Sequence, residues 1–537
     1  MNVRTLLDNF DLIADAPGGV PKLRELILQM AVRGKLVPQD PKDVSAQVTG
    51  SDDTTETEPK YAIPVQWIWT QLGCVIDYNY GGKTESERIP ADAWLLDLED
   101  IEKDTSRLLQ RVLAGDRKST STKSQFGAGD VLYGKLRPYL NKVLVANSDG
   151  YCTTEIVPMK PFKGVNPHYV VCVLKSRDFL DYTAARSYGM KMPRLGTEDA
   201  KRAPFPLPPL PEQKRIVAKV DDLMKRCDEL ETRQKERAAR HKTLVASCLN
   251  ALSVHKKADS SFSLRSSTFD LLFTSPESID ELRKTILQLA VQGRLVPQDP
   301  KDESAAITLT AAGVEKRYQV TSSEDALGPI PKSWVWVQFL GVGEQRLGKM
   351  LDKAKNQGEM RPYLRNTNVQ WMRFELGDVK EMRLTAVEQT EFRLKVGDIL
   401  VCEGGEPGRC AIWNDEIREM YFQKAIHRIR PCSAILSEYI ALNLRADSHN
   451  GRLATYFTGA TIKHFTGRSL GQYTIPVPPL AEQKRIVAKV NALMALCDKQ
   501  EFKLSQFREV AEKLVEAVVT QSAKRVIPPH HSPYLRS

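Results

Sequence analysis

The sequence lacks several features that would assign a protein to a class at once. Its nine cysteines include no CxxC pair, and an odd number of scattered thiols predicts neither a disulfide framework nor a zinc ribbon. We expect buried free thiols. No apolar run approaches the roughly 20 residues that a membrane span requires. The acidic first residues argue against a secretory signal, so a cytoplasmic protein without membrane contact is predicted.

Motifs of common catalytic sites are also missing. The sequence has no Gly-rich dinucleotide fingerprint, no HExxH, no GxSxG and no Asn/Asp-Pro-Pro-aromatic tetrapeptide. Its GGKT stretch resembles the end of a phosphate-binding loop, but Asp77 stands where that loop requires glycine. The run from Glu155 to Lys160 has the carboxylate and lysine of a nuclease site without a suitable partner acid. We therefore predict no catalytic residue, no cofactor and no metal in this chain.

What the sequence does contain is repetition. A chain of 537 residues is too long for one hydrophobic core, so several domains are expected. The stretch LRELILQMAVRGKLVPQDPKD from Leu23 matches LRKTILQLAVQGRLVPQDPKD from Leu282 at 16 of 21 positions. A second pair, from Pro206 and from Pro476, agrees at 17 of 23 positions and carries PPLxEQKRIVAKV in both copies. The segments between them diverge, so the chain follows one order twice.

The repeated segments are predicted to be helical. Apolar residues of the first pair recur at i, i+3, i+4 and i+7, and Gly34 and Gly293 are placed to end these helices. In the second pair, positions separated alternately by four and three residues form a heptad seam, the line of core-facing positions of a coiled-coil helix. One seam runs from Ile216 to Ala251 and the other from Ile486 to Gln521. A helix of this length extends about 60 Å. Antiparallel pairing of the two would form a spacer with the variable segments at its opposite ends.

The variable segments predict compact α/β domains, because short alternating apolar runs such as GDVLYGK mix with helical stretches. Their basic residues cluster with aromatic residues and glycine. Arg and Lys on loops neutralise phosphates, while Arg, Asn and Gln also read base edges. We therefore predict a DNA footprint on these loops, against the alternative that each is an ordinary solvated turn. The net charge of +10 favours polyanions only modestly.

These repeated motifs resemble the specificity subunit of a bacterial type I restriction-modification system. The resemblance implies an α/β fold with two target recognition domains, separated by a long antiparallel two-helix coiled coil in a pseudo-two-fold tandem repeat. It also implies a non-catalytic reader of a bipartite double-stranded DNA target. The partners so implied are two modification (methyltransferase) subunits and two restriction (translocase and endonuclease) subunits. S-adenosylmethionine, ATP and Mg²⁺ are then expected on those partners, and no cofactor on this chain.

The repeats and the resemblance together divide the chain into nine segments. They are a conserved helical segment 1–43, a linker 44–60, recognition domain 61–205, a coiled-coil helix 206–255, a second helical segment 262–302, a linker 303–327, recognition domain 328–475, a second coiled-coil helix 476–525 and a flexible tail 526–537.

The resemblance also suggests DNA-contacting positions in both domains. In the first they are Lys83, Thr84, Lys135, Arg137, Tyr139, Lys191 and Arg194; in the second they are Lys349, Arg361, Tyr363, Arg365, Asn368, Arg409, His427 and Lys463. The residues expected to cap helices and to bind the modification subunit are Glu212, Gln213, Lys214, Arg215, Glu482, Gln483, Lys484 and Arg485. Two alternatives stay open: a self-contained DNA methyltransferase or nuclease with duplicated recognition domains, and a structural coiled-coil protein that binds no DNA.

Overall fold

The computed structural model describes residues 3–48, 60–117, 120–189, 191–254, 266–320, 328–352 and 356–524. The chain divides into two compact units: unit 1 comprises Met1–Arg237 with Phe507–Ser537, and unit 2 comprises Ala238–Gln506. Both units combine helices with β-sheets, so the predicted α/β class with two domains is confirmed. In the part of the chain that is described, no helix is both long enough and apolar enough to cross a bilayer.

The described part of unit 1 combines helices with ten short strands. Its helices are α1 (Val3–Asp8), α2 (Phe10–Asp15), α3 (Gly19–Val32), α4 (Pro167–Leu174), α5 (Arg177–Arg186), α6 (Thr197–Lys201), the first part of α7 (Leu210–Val254) and the last part of α14 (Leu480–Lys524). Its strands are β1 (Ile68–Gln71), β2 (Ile76–Tyr78), β3 (Lys83–Thr84), β4 (Leu95–Leu96), β5 (Lys123–Phe126), β6 (Val131–Gly134), β7 (Val143–Val145), β8 (Gly150–Thr153), β9 (Ile156–Pro161) and β10 (Pro204–Leu207).

Unit 2 repeats this order with twelve strands. Its helices are the last part of α7, α8 (Ser266–Leu272), α9 (Pro276–Val291), α10 (Ala305–Ala311), α11 (Ala386–Phe392), α12 (Ser437–Asn450), α13 (Gly467–Gln472) and the first part of α14 (Leu480–Lys524). Its strands are β11 (Gln319–Val320), β12 (Val335–Gln338), β13 (Gly343–Leu347), β14 (Glu359–Leu364), β15 (Val369–Gln370), β16 (Arg373–Phe374), β17 (Lys380–Leu384), β18 (Ile399–Cys402), β19 (Cys410–Ile412), β20 (Tyr421–Phe422), β21 (Ile426–Pro431) and β22 (Thr474–Val477).

The central sheet is the same in both units. Unit 1 has an antiparallel sheet in the order β2-β9-β6-β7, and unit 2 has the order β13-β21-β18-β19. Each unit also pairs the strand after its tryptophan with the strand before its long helix, β1 with β10 and β12 with β22. The second sheets differ, because unit 1 has β3-β5-β8-β4 and unit 2 has β17-β14-β20. The two variable segments therefore share a frame and differ in what is inserted into it.

The predicted short helices of the repeats are α3 and α9. Both end before glycines with positive φ, Gly34 at 64° and Gly293 at 67°. A Cβ on Gly34 would lie 2.4 Å from the Pro64 side chain, and one on Gly293 would lie 2.5 Å from that of Pro331. Glycine is required here on two grounds, the left-handed backbone and the close contact.

The long helices α7 and α14 confirm the predicted helical segments, but the predicted heptad seam shifts along them. In the first half of α7 the buried apolar residues run from Ile216 to Cys227, and beyond the middle Val245 is buried where the seam predicted Leu244. In α14, likewise, Val515 packs on the core of unit 1 while Leu514 is exposed. A straight α-helix drifts about 20° per heptad from a 3.5-residue repeat, which moves the buried face by one residue over this length.

The core of each unit includes the start of one long helix and the end of the other. In unit 1, Ile216 and Val220 of α7 belong to the cluster against which Val515 of α14 packs. In unit 2, Ile486 and Val490 of α14 share a cluster with Val245 of α7. These helices are therefore part of the domain cores over much of their length.

The predicted linker 303–327 is wrong in its described part. Residues 305–311 form α10, and Ala305, Leu309 and Val314 are buried in the core of unit 2. The helix is only seven residues long, so its apolar residues show no helical period in the sequence. Most of the first predicted linker and all of the predicted tail lie outside the described residues.

The expectation of buried free cysteines is confirmed in large part. All nine cysteines are free, and six are buried. Trp67, Trp334 and Trp336 are buried, whereas Trp69 is half-buried and its ring packs edge-on against Tyr61.

Candidate nucleic-acid interface

In unit 1 two basic loops meet beside the central sheet. One loop, residues 135–142, connects β6 to β7, and the other, residues 187–189 and 191–196, precedes α6; together they are the first loop pair. The Arg137 amide donates a hydrogen bond to the Pro193 carbonyl at 2.7 Å, and the Leu195 amide donates to the Lys135 carbonyl at 3.2 Å. Leu195 is buried. The second loop is therefore anchored on the first through both its backbone and an apolar side chain.

Unit 2 joins the equivalent loops in the same way. Residues 403–409 connect β18 to β19, residues 457–466 precede α13, and together they are the second loop pair. The Phe465 amide donates to the Glu403 carbonyl at 2.7 Å, as the Leu195 amide does to the Lys135 carbonyl in unit 1. Phe465 is also buried.

Each loop pair contains one tight hairpin. The backbones of Tyr188 and Arg194 exchange two hydrogen bonds of 3.0 and 2.9 Å, and those of Thr458 and His464 exchange two of 2.9 and 2.8 Å. The turn glycines that follow, Gly189 and Gly459, have φ of +98° and +96°. Backbone at these angles strongly favours glycine, so both turns require glycine at the same position.

A side-chain ion pair holds the hairpin in unit 1. The Arg194 guanidinium donates to both carboxylate oxygens of Glu155, at 3.1 and 2.9 Å. The neighbouring carboxylate raises the pKa of Arg194. Glu155 also fixes the first loop, because its carbonyl accepts the Lys135 amide at 3.0 Å. Arg194 is therefore not an unpaired cation, because its ion pair with Glu155 links the two loops.

The ion pair between Arg194 and Glu155 gives a prediction for DNA binding. Arg194→Gln and Glu155→Gln each break the same contact, so each is expected to weaken DNA binding about fivefold, with no further loss in the double variant. A double-mutant cycle of duplex DNA affinity measures this coupling. If Arg194 contacts DNA directly, Glu155→Gln leaves affinity unchanged or raises it, and the cycle shows no coupling.

A buried histidine holds the hairpin in unit 2. His427 lies on β21 opposite Val401, where unit 1 has Val157 opposite Tyr133. Its Nε2–H donates to the Phe465 carbonyl at 3.0 Å. Burial lowers the pKa of His427, opposed by the nearby Glu403 carboxylate and by this hydrogen bond. The folded protein therefore favours the neutral form of the His427 imidazole.

This burial predicts a pH dependence of stability. The folded state holds the pKa of His427 below its ordinary value of 6.5, so the unfolded chain takes up a proton that the folded chain does not. Stability is expected to fall as the pH decreases below about 6.5. Unfolding in denaturant at pH 7.5 and 5.5 measures this effect. His427→Val, the residue type of unit 1, is expected to lose less stability over that interval; an identical loss would contradict the prediction.

Five of the seven predicted contact residues of the first domain lie in the first loop pair. They are Lys135, Arg137, Tyr139, Lys191 and Arg194. Tyr139 and Lys191 are exposed, and among the described side chains neither Lys135 nor Lys191 has a carboxylate partner. Arg137 has a left-handed backbone with φ of 51°, which is unusual for a residue other than glycine. The remaining two, Lys83 and Thr84, form the edge strand β3 of the other sheet.

The second domain brings fewer of its predicted residues together. Arg409 and Lys463 lie in the second loop pair, where Lys463 is exposed and Arg409 is bound to Glu406 and to the Asn366 carbonyl. The other three cations are bound to carboxylates on or beside the second sheet. These pairs are Lys349 with Glu388, Arg361 with Glu359 and Glu419, and Arg365 with Asp378.

The remaining three predicted residues of this domain are buried. Tyr363 belongs to an apolar cluster, Asn368 caps its own turn by accepting the Arg365 amide, and His427 holds Phe465. Side chains without solvent access do not contact a ligand in this conformation. We therefore exclude these three from the DNA-contacting residues.

The residues predicted to bind the modification subunit differ in how far their side chains are buried. Glu212 and Gln213 are fully buried, as are Gln483 and, to within one per cent of its surface, Glu482. Only Lys214 and Lys484 are exposed. For the four buried residues the structure gives a different role inside the fold.

In unit 1 the Glu212 carboxylate links three segments of the chain. It accepts the Trp67 indole N–H at 2.9 Å and the Gln39 amide at 2.6 Å. Gln213 accepts the Asn166 amide at 2.7 Å and donates to the Pro208 carbonyl at 2.9 Å. Burial raises the pKa of Glu212, and the Trp67 and Gln39 hydrogen bonds oppose this.

Unit 2 makes the same contacts with the second copy of the motif. Glu482 accepts Trp334 at 3.0 Å and Gln298 at 2.5 Å, and Gln483 accepts the Leu436 amide at 2.8 Å. Arg215 and Arg485 add ion pairs to Asp43 and Asp302. We call these contacts the repeat clamp. It explains why LVPQDPKD and EQKR recur together, because each motif is the other's hydrogen-bonding partner.

In the described part of the chain no three His, Cys, Asp or Glu side chains are grouped to hold a metal ion. Glu155, the carboxylate considered for a nuclease, is bound to Arg194.

Comparison with known proteins gives consistent results. The model of the type I restriction modification DNA specificity domain matches residues 119–240 and 331–506. The specificity subunits of the type I restriction enzymes EcoAI and EcoEI, both from Escherichia coli, are 25% and 26% identical, over 93% of this chain and 93% of each relative. A solved structure described as "Structural basis underlying complex assembly and conformational transition of the type I R-M system" superposes with a TM-score of 0.51 at 17% identity. It covers 86% of this chain and 98% of that chain.

Proposed function

Because this chain belongs to the type I restriction-modification DNA specificity family, we propose that it selects the DNA sequence on which a type I complex acts. It reads a bipartite double-stranded target, one half with each unit, and it has no catalytic activity of its own. Methylation and cleavage are then the work of its partner subunits, in the cytoplasm.

One observation supports this proposal: the two units share a scaffold but carry different residues on their recognition loops. The central sheets and the repeat clamps agree between the units, and both present a hairpin loop pair in the same place. The residues on those loops differ, with Lys191 and Arg194 in one and Lys463 and His464 in the other. A target with two unlike halves requires this combination, because the frame fixes position while loop residues determine sequence preference.

The long helices serve in this proposal as the spacer between the readers. An antiparallel pair is supported by the contacts within each unit, where the start of one helix and the end of the other share a core. Readers one helical turn of B-DNA apart are separated by about 34 to 36 Å, which helices of this length can span. Adding one turn to both helices is then expected to lengthen the gap in the DNA target, and an unchanged gap would remove this role.

The docking surface for two modification subunits is proposed to be a set of exposed leucines rather than the buried clamp. Leu12 and Leu271 occupy the same position of a repeated Phe-Asp-Leu sequence, with 60% and 73% of their surface exposed. Leu244 and Leu514 are likewise exposed at equivalent positions of α7 and α14. Large apolar residues exposed twice at matching sites suit two copies of one partner.

Two measurements test the proposed function. The affinity of the full chain for duplex DNA is expected to fall linearly with salt on logarithmic axes, and selection from randomised duplexes is expected to return a motif with two halves. Absence of DNA binding would favour a purely structural coiled-coil protein. Binding of S-adenosylmethionine by the chain alone would favour the alternative of a self-contained methyltransferase, and DNA cleavage by the chain alone would favour a self-contained nuclease.

A further inference from the structure

We propose, on the basis of the function proposed above, that Met192 and Ile462 are base-reading residues. Each makes apolar contact with the C5-methyl group of a thymine, one in each half of the DNA target. Neither belongs to the cationic and amide-bearing residues that a DNA footprint suggests from sequence.

Met192 and Ile462 occupy equivalent positions in the equivalent hairpins of the two units. Each follows its turn glycine by three residues and precedes by two the residue that closes the hairpin, Arg194 or His464. The hairpin sequences YGMKMPR and TGATIKH share only the glycine. A large apolar side chain therefore recurs at this position although nearly everything around it has changed.

The hairpins are anchored by one apolar side chain and expose another. Leu195 and Phe465 are buried and hold the hairpins on their domains, whereas Met192 is 51% exposed and Ile462 is 67% exposed. A single exposed apolar residue is ordinary on a protein surface. Here its neighbours are exposed cations, Lys191 on one hairpin and Lys463 on the other. A basic rim favours a polyanion over an apolar protein surface as the occupant.

The turn of each hairpin closes tightly at this point. A Cβ on Gly189 would lie 3.0 Å from the Met192 carbonyl, and one on Gly459 would lie 2.1 Å from the Ile462 carbonyl. The turn therefore closes directly against the carbonyl of the exposed residue. This close contact supports the backbone of the exposed residue, and base recognition requires a reading side chain on such a supported backbone.

The chemistry of the groove identifies the contact. Met and Ile side chains offer no strong hydrogen bond, so they do not read the donors and acceptors of base edges. The apolar group of the major groove is the thymine methyl, which sets A·T apart from the other pairs. Lysines beside the hairpin tip would contact phosphates and position it.

The test uses the full chain and randomised duplex DNA. Selection with the wild-type chain defines the motif, and the same selection is run with Met192→Ala, Ile462→Ala and, as a matched control on the same hairpin, Lys191→Ala. Met192→Ala is expected to lose the preference for an A·T pair in one half only, by about tenfold, and Ile462→Ala in the other half only. Lys191→Ala is expected to keep the preferences and to weaken binding to all sequences. Thermal unfolding confirms that these exposed substitutions leave the fold intact.

A second measurement isolates the methyl group. In the selected duplex, uracil in place of the thymine at the affected position is expected to weaken wild-type binding about fourfold and to leave the alanine variant unchanged. Unchanged motifs in the alanine variants, or equal binding of uracil and thymine duplexes by the wild type, would overturn the inference while the proposed function stands. A wild-type chain that selects no motif would instead refute the proposed function.

Discussion

Replacing Glu212 with alanine is expected to lower the free energy of unfolding by about 3 kcal/mol. The substitution leaves two buried donors, the Trp67 indole and the Gln39 amide, without their acceptor. Hydrogen bonds to a charged group contribute about 1.5 to 3 kcal/mol each, and an unpaired buried donor costs about 1 to 3 kcal/mol. Burial of the carboxylate, which raises its pKa, offsets part of that contribution. Glu482→Ala is expected to have a similar effect through Trp334 and Gln298.

Hydrogen–deuterium exchange of the full chain measures both effects separately. Glu212→Ala is expected to speed exchange in α3 and at the start of α7, and Glu482→Ala in α9 and at the start of α14. Lys214→Ala provides the control, because an exposed neighbour in the same helical turn should change stability by no more than about 0.5 kcal/mol. Equal exchange in Glu212→Ala and Lys214→Ala would show that the clamp does not stabilise the fold.

Introducing aspartate at Leu12 and Leu271 together is expected to weaken binding of the modification subunit by about a hundredfold at each site. Each leucine lies beside buried neighbours, Ile13 and Leu272, so its own side chain is directed outwards and its loss does not open a core. A charge in the centre of an apolar contact removes the contact and leaves the charge without a partner, which typically costs 2 kcal/mol or more. Titration of the purified subunit against the full chain measures the affinity and the number of sites.

Val65→Asp is a matched control for this prediction. Val65 is fully exposed, but Lys332 takes its place in the second repeat, so it is not part of a duplicated surface. Its substitution is expected to leave partner binding unchanged. DNA affinity is expected to stay the same in both the double variant and the Val65 variant, since the loop pairs are untouched. Loss of partner binding in the Val65 variant alone would move the docking surface away from the leucines.

The sequence was sufficient to predict the helices of the repeated segments, because amphipathic helices leave periodic patterns. The helical steps from Leu23 and from Ile216 depend on local spacing alone, and α3 and α7 confirm them. The heptad pattern places Leu244 on the buried face of α7, whereas the structure buries Val245. A heptad repeat describes a supercoiled helix, and the buried face of a straight helix departs from it. Similarly, α10 was missed because its seven residues are too few to show a helical period.

Side-chain roles were predicted less well, since they depend on contacts between distant segments. The pairing of Glu212 with Gln39 and Trp67 joins residues more than 140 positions apart, so the repeated EQKR was assigned to a partner. Residue type alone selected Tyr363 and Asn368, which are buried, and passed over Met192 and Ile462, which are exposed. One signal was available: Gly189 and Gly459 align when the second repeats are superposed, and this alignment places Met192 on Ile462.

The two turn glycines have a practical consequence for reprogramming the protein. Because Gly189 and Gly459 have a left-handed backbone and a Cβ at either position would press on the carbonyl three residues later, diversity introduced there would distort the hairpin instead of altering its preference. Libraries that keep both glycines and the buried Leu195 and Phe465, and randomise only the exposed tips, would vary the reading surface on an unchanged support. New specificities should therefore be sought in a window of a few codons per unit.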